Sequence, residues 1–377
     1  MRPNNRHRGA TRAVPPPDSP PSTGGCTVVA GVFIFIFILL AVVGIALVDL
    51  PARMAVLSLF GGQSDWQLLY VVSGDLWETN GSQATQLTHN GHLGQPTLAS
   101  QSQSQSEAQS LIYVEREKNY SDLWLVDANH PARPITHDSS PIIEQNHWAA
   151  QPVFIPDSQR LLFLSDHNKE STGVGDLAVW ELDLQQGTFT QITHPPAYTG
   201  GDQDISVNPK NGREIVFTRY VYGDSGQLTE ELAWLDLGTN IAVALTASEH
   251  PSRQASFSPD GHQLAFVQTV GQAENLFVSQ IDRSASKPRL VGAQSVATGM
   301  IAEPIWRPDG KEIAYIGLVN RHFQLFTVSV DRSTDGKETF GRPQQVTNGS
   351  GLDATSRPVW LTSSEARSLP EWLNRPS

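Results

Sequence analysis

The chain has 377 residues, 38 acidic against 26 basic side chains, a formal net charge of −12 and one cysteine. So acidic a balance argues against nucleic-acid binding, which needs clustered Lys and Arg to meet phosphate. A single cysteine rules out an internal disulfide framework, and the length allows a core that needs none.

Residues 1–26 carry Arg2, Arg6, Arg8 and Arg12, a Pro15-Pro16-Pro17 run and a Ser/Pro/Gly stretch. This composition buries too little apolar surface to order itself and reads as a disordered tail. Residues 27–48 are 22 uncharged residues, 16 of them Val, Ile, Leu or Phe. As a helix they span about 33 Å, enough for a bilayer core of about 30 Å. A cleaved signal peptide would have an apolar core of roughly 7–15 residues and a small-residue cleavage site. Here the run is longer and exits through Asp49-Leu50-Pro51-Ala52-Arg53, so it predicts an uncleaved transmembrane helix, a signal anchor. Cys26 precedes the run, whereas a lipoprotein cysteine would follow one. The four arginines place the N-terminus in the cytoplasm and the rest outside it. Residues 49–64 form a linker whose apolar part, Met54 to Phe60, either packs under the following domain or rests at the membrane interface.

Beyond the linker a motif returns. Ser-Pro-Asp-Gly stands at 258–261 and Arg-Pro-Asp-Gly at 307–310, with weaker copies around Pro156 and Pro209. The anchoring prolines are 53, 50 and 49 residues apart, a period that signals a repeat architecture. Each unit has a short apolar strand, the Pro-Asp-Gly turn, and a β-rich run such as Leu264-Ala265-Phe266-Val267. An aromatic strand ending in Asp follows, as in Leu123-Trp124-Leu125-Val126-Asp127. A Leu-Thr-like pair closes the unit: Leu87-Thr88, Ile135-Thr136, Ile192-Thr193, Leu245-Thr246, Val346-Thr347. Four strands in about 50 residues make a propeller blade. First strands fall near Pro96, Pro152, Ile205, Ala255, Pro304 and Pro358, which gives six blades over 65–363 and a C-terminal tail over 364–377. Too few residues follow Pro358 to finish a blade. Trp66–Val72, Asp75–Glu78 and Gln83–Thr88 read as the missing strands, so the sixth blade is built from both chain ends and closes the ring. The fold class is all-β, a six-bladed propeller with an N-terminal transmembrane helix. Ser100 to Ser110, mostly Ser and Gln, replaces the first blade's turn. Trp77, Trp124, Trp180 and Trp234 are assigned to the packing between blades.

The Pro-Asp-Gly turns, the Asp-Leu-Trp-like strand and the Leu-Thr ending resemble the Pro-Asp propeller repeats of the TolB translocation protein, which also build the propellers of prolyl oligopeptidase-type enzymes. The resemblance covers roughly 65–363. It implies a periplasmic propeller that binds a protein or peptide partner in cell-envelope assembly or transport; the predicted anchor departs from it, since TolB is implied to be soluble. Peptidase activity does not transfer, because no hydrolase domain follows residue 363.

Local chemistry is sparse. Gly223-Asp224-Ser225-Gly226 matches the nucleophile segment of chymotrypsin-type proteases, but in an inter-strand loop of the wrong fold. His89, His137 and His194 each follow a strand-ending Thr and are kept apart by the ring's symmetry, so no metal site is predicted, and no cofactor. Asn80, Asn119 and Asn348 head Asn-x-Ser sequons, which matter only on a eukaryotic secretory route. One constellation stands out. At the start of each inner strand the aligned residues are Gln95, Gln151, Asp204, Gln254, Glu303 and Arg357, all polar. Inner strands line a propeller's tunnel, so these six form a ring at its mouth, a ligand-binding candidate. A solvated entrance, or an ion pair closing the sixth blade through Arg357, fits the same residues. The expected function is a non-enzymatic binding scaffold; the alternative is a tunnel-based lyase or hydrolase, or a carbohydrate-binding propeller.

Overall fold

The computed structural model describes residues 65–99, 110–169, 173–285, 287–333 and 338–374. The tail, the predicted span and the linker lie outside them. Among the described residues no helix is long and apolar enough to cross a membrane.

Six antiparallel sheets are present. Blade 1 holds Leu93–Leu98, Ser110–Arg116, Ser121–Asp127 and Arg133–Pro134. Blade 2 holds Ala149–Phe154, Arg160–Ser165, Ala178–Asp183 and Thr188–Gln191, and blade 3 holds Asp202–Val207, Glu214–Tyr222, Leu228–Asp236 and Ile241–Ala244. Blade 4 holds Ser252–Phe257, Gln263–Val270, Ala273–Asp282 and Arg289–Gly299. Blade 5 holds Ile301–Trp306, Glu312–Val319, His322–Arg332 and an outer strand in two pieces, Glu338–Phe340 and Gln344–Gln345. Blade 6 is the composite. Its inner strand Val359–Thr362 pairs with Trp66–Val72, with Leu68 opposite Trp360, and Asp75–Thr79 and Ala84–Gln86 complete it.

Alternation along the strands sends successive residues to opposite faces of a blade, and blades bury both faces. Six apolar clusters therefore fill the spaces between successive blades. Aromatic pairs on the second and third strands face the preceding blade: Tyr70 with Trp77, Tyr113 with Trp124, Phe163 with Trp180, Phe266 with Phe277 and Tyr315 with Phe326. Blade 3 breaks the series. Ala233 stands opposite Phe217 at that position, while Trp234 pairs with Val216 and packs toward blade 4. Trp234 thus lies between blades, but on the other face from the tryptophans it resembles, because it stands one residue nearer its strand-ending Asp.

The Leu-Thr pair has a defined role. Just past the short outer strand, the threonine hydroxyl takes a backbone amide of the third strand. Thr88, Thr136, Thr193, Thr246 and Thr347 Oγ1 accept from Leu76, Leu123, Val179, Leu232 and Leu325 N at 2.8–2.9 Å. In the Pro-Asp-Gly turns, Gly261 N donates to Ser258 O at 2.9 Å and Gly310 N to Arg307 O at 2.9 Å. Gly261 has φ +72°, and a Cβ there would meet the Asn208 side chain of blade 3, so no other residue fits.

Residues beyond 363, read from sequence as a tail, hold a helix, α1 (Ser363–Leu373). Thr362 caps it: Glu365 N donates to Thr362 Oγ1, and Thr362 N donates to the Glu365 carboxylate at 2.6 Å. Ala366, Leu369 and Trp372 join the cluster between blades 6 and 1. Thr362→Ala is expected to cost about 1 kcal/mol, read as faster amide exchange in α1 with the blades unchanged.

Candidate functional site

Inner strands run toward the Pro-Asp-Gly turns, so each blade has a turn face and an opposite face. On the turn face the ring opens into a cavity of ≈ 840 Å³, within the range of ligand sites. Its rim carries Pro156, Pro209, Pro259 and Pro308; its wall includes Val153, Phe257, Ile305, Trp306 and Trp360. Trp66 and the start of α1, Ser364 and Glu365, complete one side. The cavity is a funnel, and five members of the predicted polar ring form its floor: Gln95, Gln151, Asp204, Glu303 and Arg357 line it, while Gln254 is not among the lining residues and joins the ring through its hydrogen bonds. The sequence places these residues at the mouth; the structure places them at the bottom, since the strands continue past them to the turns.

Five of the six share an unusual backbone. Gln95, Gln151, Asp204, Gln254 and Glu303 have φ between 47° and 56°, each at a register shift in its inner strand. Left-handed conformation costs a non-glycine residue roughly 1–2 kcal/mol, so the surrounding contacts must hold it. Arg357 differs: it precedes its strand and is not left-handed. Nothing in composition signals these bulges. The recurrence of a polar residue at the third position of each of these inner strands was their only trace.

The bulges turn the side chains around the axis, where they bind the next blade. Gln151 N donates to Gln95 Oε1 at 2.9 Å, and Asp204 N to Gln151 Oε1 at 2.5 Å. Aspartate is one carbon shorter than glutamine, and Thr218 bridges the gap. Its hydroxyl donates to Asp204 Oδ2 at 2.8 Å and accepts from Gln254 N at 2.9 Å. Glu303 N donates to Gln254 Oε1 at 3.2 Å, and Arg357 Nε to Glu303 Oε2 at 3.0 Å. Ser356 Oγ accepts from Gln95 N at 2.9 Å, completing the circuit. Thr218 and Ser356 are members that sequence alignment of the ring could not supply, because neither occupies the repeated position.

Arg357 closes the centre as well. Its Nη1 donates to Ile205 O at 3.1 Å. Ile205 belongs to blade 3, opposite blade 6, so the guanidinium crosses the axis and makes the funnel a dead end at this level. Its Nη2 is buried and has no hydrogen-bond partner among the described residues. Glu303 is 3% exposed. Burial raises its carboxyl above the usual range; the adjacent Arg357 opposes that rise, and Asp204 adds to it.

The remaining candidates are dispersed. His89, His137 and His194 each follow an outer strand on a different blade, and among the described residues no group of three or more His, Cys, Asp or Glu is arranged to hold a metal. Gly223 to Gly226 is a hairpin turn of blade 3, with Gly223 N donating to Gln227 O at 3.0 Å. The opposite face, built of the other hairpins and the blade-to-blade loops, exposes Trp148, Tyr198, Tyr222 and Met300.

No protein-family model matches the sequence, and no curated protein matches it. Solved structures do resemble the fold. TolB from Acinetobacter baumannii aligns with 82% of this chain and 70% of its own, at TM-score 0.56 and 18% identity. A protein of Agrobacterium tumefaciens described as TolB aligns over 77% and 91%, at 0.51 and 12%. Hydrazine synthase of Kuenenia stuttgartiensis aligns over 80% and 47%, at 0.55 and 11%. In fold, then, the chain is a six-bladed β-propeller. More particularly, its fold is similar to that of the TolB propellers.

Proposed function

We propose that this propeller is a binding scaffold that takes an apolar peptide segment of a partner protein into its funnel. The observation that carries the reading is the funnel itself: a wide, proline- and aromatic-walled cavity whose polar floor is already hydrogen-bonded. Such a site offers area rather than reacting groups. The ring carboxylates support binding over catalysis, since Asp204 and Glu303 accept from side chains of other blades, Asp204 from Gln151 and Glu303 from Gln254 and Arg357. The resemblance to TolB supports a partner in the cell envelope. The apolar run 27–48 and the arginines before it support a single-pass anchor with the propeller on the extracytoplasmic side.

Peptide selection tests the funnel. A binder selected from a displayed random library on the full chain is expected to lose at least tenfold in affinity against Val153→Asp, which places a charge on the partly exposed funnel wall. Tyr198→Ala and Met300→Ala, on the opposite face, are expected to leave it unchanged. The reverse pattern would move the binding surface to the opposite face.

A further inference from the structure

A second cavity lies between blades 5 and 6, away from the axis and from the funnel. It holds ≈ 600 Å³, within the range of ligand sites. Its floor is the aromatic pair of blade 6, Tyr70 and Trp77, which stand opposite each other in register. Two short outer strands, Ala84–Gln86 and Gln344–Gln345, contribute Ala84 and Gln345 to its walls. Two lips border it, and hydrogen bonds hold both in place. On blade 6, Asn80 Oδ1 accepts from Ser82 N at 3.0 Å and from Gln83 N at 2.9 Å, and Thr79 Oγ1 donates to Gln83 O at 2.7 Å. On blade 5, the buried Gln324 side chain donates to Gly349 O at 2.6 Å and accepts from Thr347 Oγ1 at 2.9 Å. The exposed residues Gln83, Gln345, Asn348 and Ser350 are thus carried on a fixed backbone, which limits the ordering cost of binding.

The lining selects the ligand. None of its 16 residues is charged, in a chain with 38 acidic and 26 basic side chains. A phosphate, carboxylate or ammonium group would lose hydration here without meeting a counter-charge. A wholly apolar ligand would strip water from the amides and hydroxyls of the lips without replacing their hydrogen bonds. The remaining match is a neutral molecule with apolar faces and hydrogen-bonding edges.

We infer that this cavity binds a neutral oligosaccharide: the C–H face of a pyranose ring lies on Trp77, and its hydroxyls exchange hydrogen bonds with Gln83, Gln345, Asn348 and Ser350. Amides and hydroxyls suit that edge because each both donates and accepts, as a sugar hydroxyl does. The indole offers flat apolar area at a low cost in side-chain entropy. The inference does not rest on the funnel or on its peptide.

A glycan array tests it, probed with the full chain in a zwitterionic detergent that has no sugar headgroup. The array carries oligomers of glucose, mannose, galactose and N-acetylglucosamine beside uronate and sialylated glycans. The expected result is binding confined to the neutral oligomers. The strongest of them is then titrated by calorimetry. Gln345→Ala combined with Asn348→Ala is expected to weaken it at least tenfold. Ser350→Asp, which puts a charge on the lip, is expected to do the same, with Tm unchanged in both variants. Val153→Asp, in the funnel, is expected to leave the affinity as it is. No binding to any neutral oligomer, a preference for acidic glycans, or binding that survives the lip variants overturns the proposal. Glycan binding lost only with Val153→Asp overturns it too, and moves the sugar to the funnel.

Discussion

Trp360→Ala should lower the stability of the propeller by about 3–5 kcal/mol, the range for truncating a buried aromatic. Trp360 is 7% exposed and belongs to the cluster that joins blades 5 and 6 through Leu68, Tyr70, Ile316 and Leu325. Its indole Nε1 donates to Ile305 O at 3.4 Å, and Arg307 lies over its ring at 5.7 Å. Its strand has only four residues, and through them the C-terminal end of the chain pairs with the N-terminal one. Loss of the ring therefore weakens closure as well as packing. For a domain of this size the expected fall in Tm is about 5–8 °C. Trp148→Ala, at a side chain 40% exposed on the opposite face, should move Tm by less than about 1 °C. Equal shifts for the two variants would mean that closure by the chain ends carries no special weight.

Arg357→Ala should cost a comparable amount, about 3–5 kcal/mol at pH 8, because removing one partner of a buried ion pair leaves the other charge unpaired. Here the stranded group is Glu303. Its folded-state pKa is raised, chiefly by burial and against the pull of Arg357. The native state therefore binds more protons than the unfolded chain between the ordinary glutamate pKa and the raised one. Across that window stability falls as pH rises, and it is recovered on acidification. Removing the arginine removes the opposing influence, so the deficit should be largest in mild base and should shrink steadily toward pH 5. Glu303→Gln in the same background should flatten the profile and restore most of the loss. A pH-independent deficit in Arg357→Ala, measured by denaturant unfolding from pH 5 to pH 8, would show that the guanidinium acts through its bond to Ile205 O alone.

The repeat made much of this molecule legible before any coordinates. Proline spacing located the turns, the count gave six blades, and the short C-terminal remainder pointed to Trp360 pairing with the 66–72 strand, as it does. It also gathered the six residues of the hydrogen-bonded ring, since a repeated position in a ring of blades is a repeated position in space. What stayed hidden depends on contacts between segments about 50 residues apart. The left-handed bulges, the relay through Thr218 and the reach of Arg357 to the opposite blade have no local signature. The phase of Trp234 did have one, a two-residue rather than three-residue gap to its Asp, but it matters only once strand register is known. Helix α1 was signalled by the Thr362…Glu365 capping box and by apolar Ala366, Leu369 and Trp372, though Pro370 obscures the pattern.

The ring combines two tasks that its chemistry makes compatible. Side-chain oxygens of one blade hold backbone amides of the next, which fixes the strained bulges and stiffens the funnel from below. The same engagement leaves the prolines and aromatic rings of the wall, such as Pro259, Trp306 and Trp360, as the surface on which a ligand can gain energy. Stiffness limits what ordering on binding would otherwise cost.

The most direct measurement of where partners bind is photo-cross-linking in intact host cells, with a benzoyl-phenylalanine placed at Lys210 on the funnel rim or at Tyr222 on the opposite face. The funnel reading predicts adducts with another protein from position 210 and none from position 222. Adducts from position 222 alone would contradict it.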